Sequence, residues 1–363
     1  VRAAIWLAVV QGAVLAGCPR REEAAPASAV PMGSVNGRAE PLRCSLEPER
    51  LAPTPEPLRS PWLLRGPDGP RLVARATSSD RLFWRDARGD DMTPSALSIA
   101  TQAFAWTGRG FVGADDAHAA FTDPRFGASR PLRRLPIERA VSVSTAAREG
   151  AALVAWLRPA REGAAEADPW TAMVGPGGEL LADPQPLTGA PWVLRTLSAR
   201  WDFGRFVVEG QTVGRPASVW SWVLDPDGRS AWSGAGRVVC PVSGCFRVDF
   251  AGAMGGQTQA LRLVPLADPS GAIPTTIYTN GEIAALAVSG SRVLVLNEPL
   301  AGERGCAVHV FDVGRRDVPH ESASDHINCA PGSVLATPQG FAILEYDPEH
   351  GAAVRALTCG DGA

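Results

Sequence analysis

Seven times between residues 83 and 351 the chain runs a short β-prone segment into a tight turn built from Asp, Pro and Gly. The turns are Asp86-Ala87-Arg88-Gly89, Asp123-Pro124-Arg125-Phe126-Gly127, Gly175-Pro176-Gly177-Gly178, Asp225-Pro226-Asp227-Gly228, Asp268-Pro269-Ser270-Gly271, Asp312-Val313-Gly314 and Asp347-Pro348-Glu349-His350-Gly351. Pro presets φ at the second turn position, Asp hydrogen-bonds its own backbone, and Gly supplies the positive φ from which the next strand departs. The last glycines of these turns recur about every 44 residues, the period of a four-stranded repeat unit. Helical periodicity is scarce after residue 60, so the chain reads as all-β, with these turns as hairpins between outer strands.

Between the turns lie continuous apolar runs: Ala103-Phe104-Ala105-Trp106, Leu153-Val154-Ala155-Trp156, Phe206-Val207-Val208-Glu209, Val293-Leu294-Val295-Leu296 and Phe341-Ala342-Ile343-Leu344. Alternation is lost when both faces of a strand are buried, so these runs are expected inside a stack of sheets. Trp84, Trp106, Trp156, Trp201, Trp220, Trp222 and Trp232 are expected to fill the spaces between those sheets rather than to stack on a ligand. The pattern resembles a β-propeller of seven four-stranded blades, covering roughly residues 60 to 359, with a pair of β-sandwiches as the alternative fold. The last repeat offers three strands, near 333–336, 340–346 and 353–359, so an N-terminal strand around Cys44 to Glu47 is expected to complete the ring. The stretch Asp225 to Trp232 also resembles the tryptophan-docking repeat of quinoprotein-like propellers, although its aspartate sits one residue too close to the glycine.

The amino end carries a different signal. Ala3 to Leu15 is apolar apart from Gln11 and Gly12, and at thirteen residues it is too short to span a bilayer, which takes roughly 20. It closes on Leu15-Ala16-Gly17-Cys18, which resembles the lipobox of bacterial lipoproteins. The resemblance implies a signal peptide over 1–17, a diacylated Cys18, and a membrane anchor made of lipid. Pro19 follows, not the aspartate of inner-membrane retention signals, so the implied destination is the cell envelope, at the outer membrane of a cell that has two. Residues 18–41, rich in Ala, Pro, Glu and Ser, read as a disordered tether, leaving 42–363 for the propeller domain.

Seven cysteines would be an odd number for an exported protein, and lipidating Cys18 removes the oddness. The remaining six, Cys44, Cys240, Cys245, Cys306, Cys329 and Cys359, suit an oxidising compartment. Fifteen connectivities are possible for six cysteines. Separation along the chain favours Cys240 with Cys245, Cys306 with Cys329, and Cys44 with Cys359, the last joining the two ends of the domain. No C-x-x-C occurs, so these thiols are not read as metal ligands, and no metal or cofactor is expected.

Chemistry is sparse. The formal charge is −3, which argues against a nucleic-acid partner. All 35 basic residues are arginine, which excludes Schiff-base lysines and the lysine of a P-loop. Gly108-Arg109-Gly110-Phe111-Val112-Gly113 matches a dinucleotide fingerprint literally, yet it has no surrounding βαβ unit and reads as a hairpin. His320-Glu321 lacks the second histidine of a zinc-protease helix, and no G-x-S-x-G is present. His309, His320, Asp325 and His326 cluster in sequence but read as a solvated loop, and Asp115, Asp116, His118 and Asp123 read as turn residues. The expectation is therefore a non-enzymatic binding or assembly module of the envelope, with an envelope protein or polymer as partner. The alternative is a hydrolase or lyase whose site lies at the central channel of the ring.

Overall fold

The computed structural model describes residues 43–47, 57–79, 81–87, 89, 91–95, 103–115, 117–132, 135–159, 167–191, 193–212, 218–251, 259–271, 273–279, 281–299, 305–314, 322–327, 329–347 and 351–360. The proposed signal, Cys18 and tether lie outside these residues, as do His320 and Glu321; of Asp325 and His326 only the backbone is described.

Among the described residues there are seven four-stranded antiparallel sheets. Blade 1 comprises Leu58–Gly66, Gly69–Ala76, Leu82–Asp86 and Thr93–Pro94; blade 2 comprises Ala103–Trp106, Phe111–Ala114, Ala119–Thr122 and Ser129–Pro131. Blade 3 is made of Ser142–Arg148, Ala151–Pro159, Ala167–Val174 and Gln185–Pro186, and blade 4 of Thr196–Asp202, Arg205–Gln211, Val219–Leu224 and Ser230–Ala235. Blade 5 follows with Arg237–Val239, Phe246–Ala251, Gln259–Pro265 and Ile273–Thr279, then blade 6 with Gly281–Ser289, Arg292–Pro299, Cys306–Asp312 and Ser322–Ile327. Blade 7 takes Cys329–Thr337, Gly340–Asp347 and Gly351–Gly360 from the carboxyl end, and its fourth strand, Arg43–Leu46, from the amino end. The seven-bladed propeller expected from the turns is the observed fold.

One buried apolar cluster sits at each junction between neighbouring blades, including that between blade 7 and blade 1, so the sheets form a closed ring. Second strands serve two clusters at once. Val293 and Val295 face blade 5 while Leu294 and Leu296 face blade 7; Leu153 faces blade 4 while Val154 faces blade 2. That double burial is why these strands read as unbroken apolar runs. All seven tryptophans named above lie in these junctions, Trp156 and Trp222 fully buried.

Six of the seven predicted turns join the third and fourth strands of a blade, as expected for outer hairpins. The turn ending at Gly351 does not: it joins the second and third strands of blade 7. The physical reason is the ring closure. Because the fourth strand of that blade comes from the other end of the chain, no hairpin can lead into it. Arg43–Leu46 pairs with Leu357–Gly360, placing Cys44 directly opposite Cys359, and the two are bridged. On the chain-entropy view, a bridge spanning 315 residues restricts the unfolded chain by an upper figure of about 5–6 kcal/mol.

The glycine motif at Gly108–Gly113 is a hairpin between the first and second strands of blade 2, closed by Thr107 N–H donating to the Gly110 carbonyl at 2.9 Å. Ser322–Ile327 is the fourth strand of blade 6, not a loop. His309 stands in the third strand of that blade opposite Val295, so it belongs to a sheet rather than to a solvated segment. The sequence reading failed there because the strand is polar, as an outermost strand with one solvated side can be.

Candidate functional site at the joint of blades 4 and 5

Blade 5 begins with a first strand of three residues, Arg237–Val239, where blade 4 and blade 6 begin with seven and nine. A short strand buries little. The apolar cluster between blades 4 and 5 contains four buried side chains, Val207, Val223, Val238 and Cys240, the smallest such group among the described residues. Charge and covalent chemistry supplement it.

Arg200 lies on the blade 5 side of its strand, between Ala199 and Trp201, which pack against blade 3. Its Nε donates to Asp202 Oδ1 at 3.1 Å and its Nη1 to Glu209 Oε1 at 2.9 Å, while Nη2 donates to the Val238 carbonyl of blade 5. Arg237 Nη1 approaches Glu209 Oε2 at 3.4 Å, and the backbone N–H of Cys240 donates to Asp202 Oδ2 at 2.9 Å. Both carboxylates are about 1% exposed, and every one of their four oxygens has a donor.

Burial disfavours each of these charges, and the neighbours decide the outcome. Burial raises the Asp202 carboxyl above its ordinary value, outweighing the help of Arg200 and the Cys240 N–H. For Glu209 burial also acts upward, but Arg200 and Arg237 together outweigh it and leave the carboxyl lowered. Arg200 is held more firmly protonated than usual, because Asp202 and Glu209 overcome its own desolvation. Two carboxylates pushed apart in this way can mark an acid and a base. Here their oxygens are already occupied, so the arrangement joins two blades and does not present a proton to a substrate.

The next residue after Asp202 turns this joint into a surface feature. Phe203 sits at the tip of the hairpin between the first and second strands of blade 4, with its N–H donating to the Cys240 carbonyl at 3.1 Å. Its side chain is 55% exposed. In blade 5 the corresponding hairpin runs from Cys240 to Cys245, which are bridged. Val242 lies at its tip, also 55% exposed, and its N–H donates to the Gly290 carbonyl of blade 6 at 3.0 Å. Two neighbouring tips thus hold large apolar side chains in water while backbone bonds, a disulfide and the charge cluster fix the loops beneath them.

The same face of the ring carries an open cavity of about 830 Å³ over blades 6 and 7. Its wall includes both bridged cysteines, Cys44 and Cys359, together with Arg292 and the Pro338-Gln339 tip.

Cys44–Cys359 and Cys240–Cys245 are disulfides, and Cys306 is disulfide-bonded as well. The side chain of Cys329 lies outside the described residues. Asp115 caps its own turn, accepting from the N–H groups of Ala117 at 2.8 Å and His118 at 2.6 Å. Asp123 does likewise with Arg125 at 2.7 Å, Gly127 at 3.2 Å and Ala128. Burial pushes the His309 imidazole down, and its Nδ1 and Asn297 Oδ1 are buried without a hydrogen-bond partner among the described residues. Sequence reasoning missed Arg200, Asp202, Glu209, Phe203 and Val242. A signal was present in Glu209, a carboxylate closing the run Phe206 to Glu209, since a charge in a doubly buried strand must be paired.

No protein-family model matches the sequence, and no curated protein matches it either. Among the solved structures that align with this chain are the following. The tricorn protease aligns with a TM-score of 0.55 at 10% identity over 88% of this chain, which spans 36% of that one. The WD40 domain of Neurospora crassa Pan2 aligns with a TM-score of 0.50 at 10% identity, over 86% of this chain and 94% of the other. A subtype N11 neuraminidase-like protein of A/flat-faced bat/Peru/033/2010 (H18N11) gives 0.48 at 8% identity, over 88% and 94%. At such identities the likeness concerns the propeller architecture alone.

Proposed function

We propose that the protein is an exported, lipid-anchored binding module of the bacterial envelope that docks a protein or polymer partner on the rim formed by the blade 4 and blade 5 tips. The observation that carries the docking surface is the pair Phe203 and Val242, each 55% exposed on adjacent hairpins. Scattered apolar residues on a surface are ordinary, but these two stand on neighbouring tips that are fixed by a disulfide and by bonds to the next blade. Rigid anchors lose little entropy on binding, which makes them effective contacts. Lipobox-like Leu15 to Cys18 and the bridged cysteines support the oxidising, membrane-proximal setting. The alternative reading, a hydrolase or lyase with its site at the central channel, needs carboxylates free to act on a substrate, and Asp202 and Glu209 are not such a pair because each of their oxygens already has a donor.

The test is comparative capture from detergent-solubilised envelopes with the Cys18-retaining protein and with a Phe203→Asp, Val242→Asp variant. Two surface substitutions leave the blade junctions intact. Loss of apolar anchors worth about 2 kcal/mol or more should deplete the captured partner by roughly thirtyfold. An identical capture profile for the two proteins would remove the rim from consideration.

A further inference from the structure

The cavity over blades 6 and 7 has a chemical feature that the rim reading does not use: its wall contains a disulfide. Cys44 is half-buried and Cys359 is 6% exposed, yet both line this opening of about 830 Å³. Arg292 shares the wall. At the other bridge Cys240 is fully buried and Cys245 packs into the blade 4–5 cluster, and Cys306 is fully buried too.

We propose that Cys44–Cys359 is a thiol–disulfide exchange site, reached through this cavity by a protein dithiol of the thioredoxin class, and that the covalent seam of the ring is thereby opened and closed. A thiolate of the partner attacks Cys44 Sγ, the S–S bond breaks, and Cys359 leaves as a thiolate that takes up a proton. The partner's second thiol loses its proton and attacks the mixed disulfide, releasing Cys44, which is protonated in turn. The protein disulfide is reduced by two electrons and the partner dithiol becomes a disulfide; the reverse sequence closes the seam. What remains after reduction is the four-residue pairing of Arg43–Leu46 with the third strand of blade 7.

The experiment follows the folded, oxidised protein with reduced thioredoxin and, separately, with dithiothreitol, trapping free thiols with maleimide and locating them by peptide mass spectrometry. Cys44 and Cys359 should be labelled at least about tenfold faster than Cys240, Cys245 and Cys306, without loss of the β-sheet circular dichroism. A second arm uses Gly360→Trp. Gly360 borders the cavity, and a Cβ there meets no atom within 4 Å, so a side chain is accepted at its first atom and a bulky one should narrow the opening. Exchange with thioredoxin should slow by about tenfold in this variant while the rate with the small dithiothreitol stays nearly unchanged. Equal labelling of all three bridges, labelling of Cys44 only where denaturant unfolds the ring, or an unaltered thioredoxin rate in Gly360→Trp would each overturn the proposal.

Discussion

Replacing Arg200 with methionine removes the one side chain that bonds both buried carboxylates and reaches across to the Val238 carbonyl of blade 5. Methionine fills much the same volume, so the change isolates charge from packing. Removing one partner from a buried ion pair costs about 3–5 kcal/mol, because the charge left behind is neither solvated nor paired. Arg237 still approaches Glu209 and the Cys240 N–H still serves Asp202, which places the expectation near the lower end, about 3 kcal/mol. For a chain of this size that corresponds to a melting point lower by roughly 4–5 °C.

The pH dependence gives the experiment a second axis. Glu209 is lowered in the folded protein, so its contribution is complete above the unfolded carboxylate value and is lost as pH falls through the folded one. Asp202 is raised, so it acts in the opposite sense: the unfolded chain ionises it first, and it subtracts stability as pH climbs. In the wild-type protein these effects oppose each other. Without Arg200 both carboxylates lose their main partner, and acid should relieve the penalty by neutralising them. Urea titrations monitored by tryptophan fluorescence should therefore show a deficit for Arg200→Met that is largest near neutral pH and shrinks toward pH ~4. The triple variant Arg200→Met, Asp202→Asn, Glu209→Gln should recover much of the loss at neutral pH. A single variant within about 0.5 kcal/mol of wild type, or a deficit that grows in acid, would refute the view that this cluster stabilises the joint.

Gly340 has φ near +153°, and a Cβ there would collide with the Leu357 carbonyl oxygen, so Gly340→Ala should destabilise the ring by about 1–3 kcal/mol in the same urea assay. Cys18→Ala should release the protein from membranes into the soluble exported fraction on fractionation, and persistent membrane association would count against a lipid at that position.

The fold was legible because a propeller repeats its own local chemistry. Asp225-Pro226-Asp227-Gly228 specifies a turn wherever it stands, and six such turns mark the outer hairpins. Gly351 belonged to a different hairpin, since local turn chemistry carries no information about which strand of a blade it follows. Cys44 and Cys359 were paired correctly from their positions at the two ends of the domain. The joint of blades 4 and 5 was much harder to foresee. Arg200 and Asp202 meet Glu209 across a hairpin and reach Val238 and Cys240 in the next blade, contacts set by ring geometry rather than by spacing. Phe203 and Val242 look unremarkable in sequence, because exposure at a hairpin tip is a property of the assembled sheet.

The proposed export would account for the bridges, the anchor and the envelope partner together, and one measurement reaches it directly. Intact and peptide mass spectrometry of the protein from fractionated cells should find the mature chain in the membrane fraction, beginning at a diacylated Cys18, with Cys44 joined to Cys359 and Cys240 to Cys245. An unprocessed chain in the cytosol, with residues 1–17 retained and its cysteines reduced, would contradict the account.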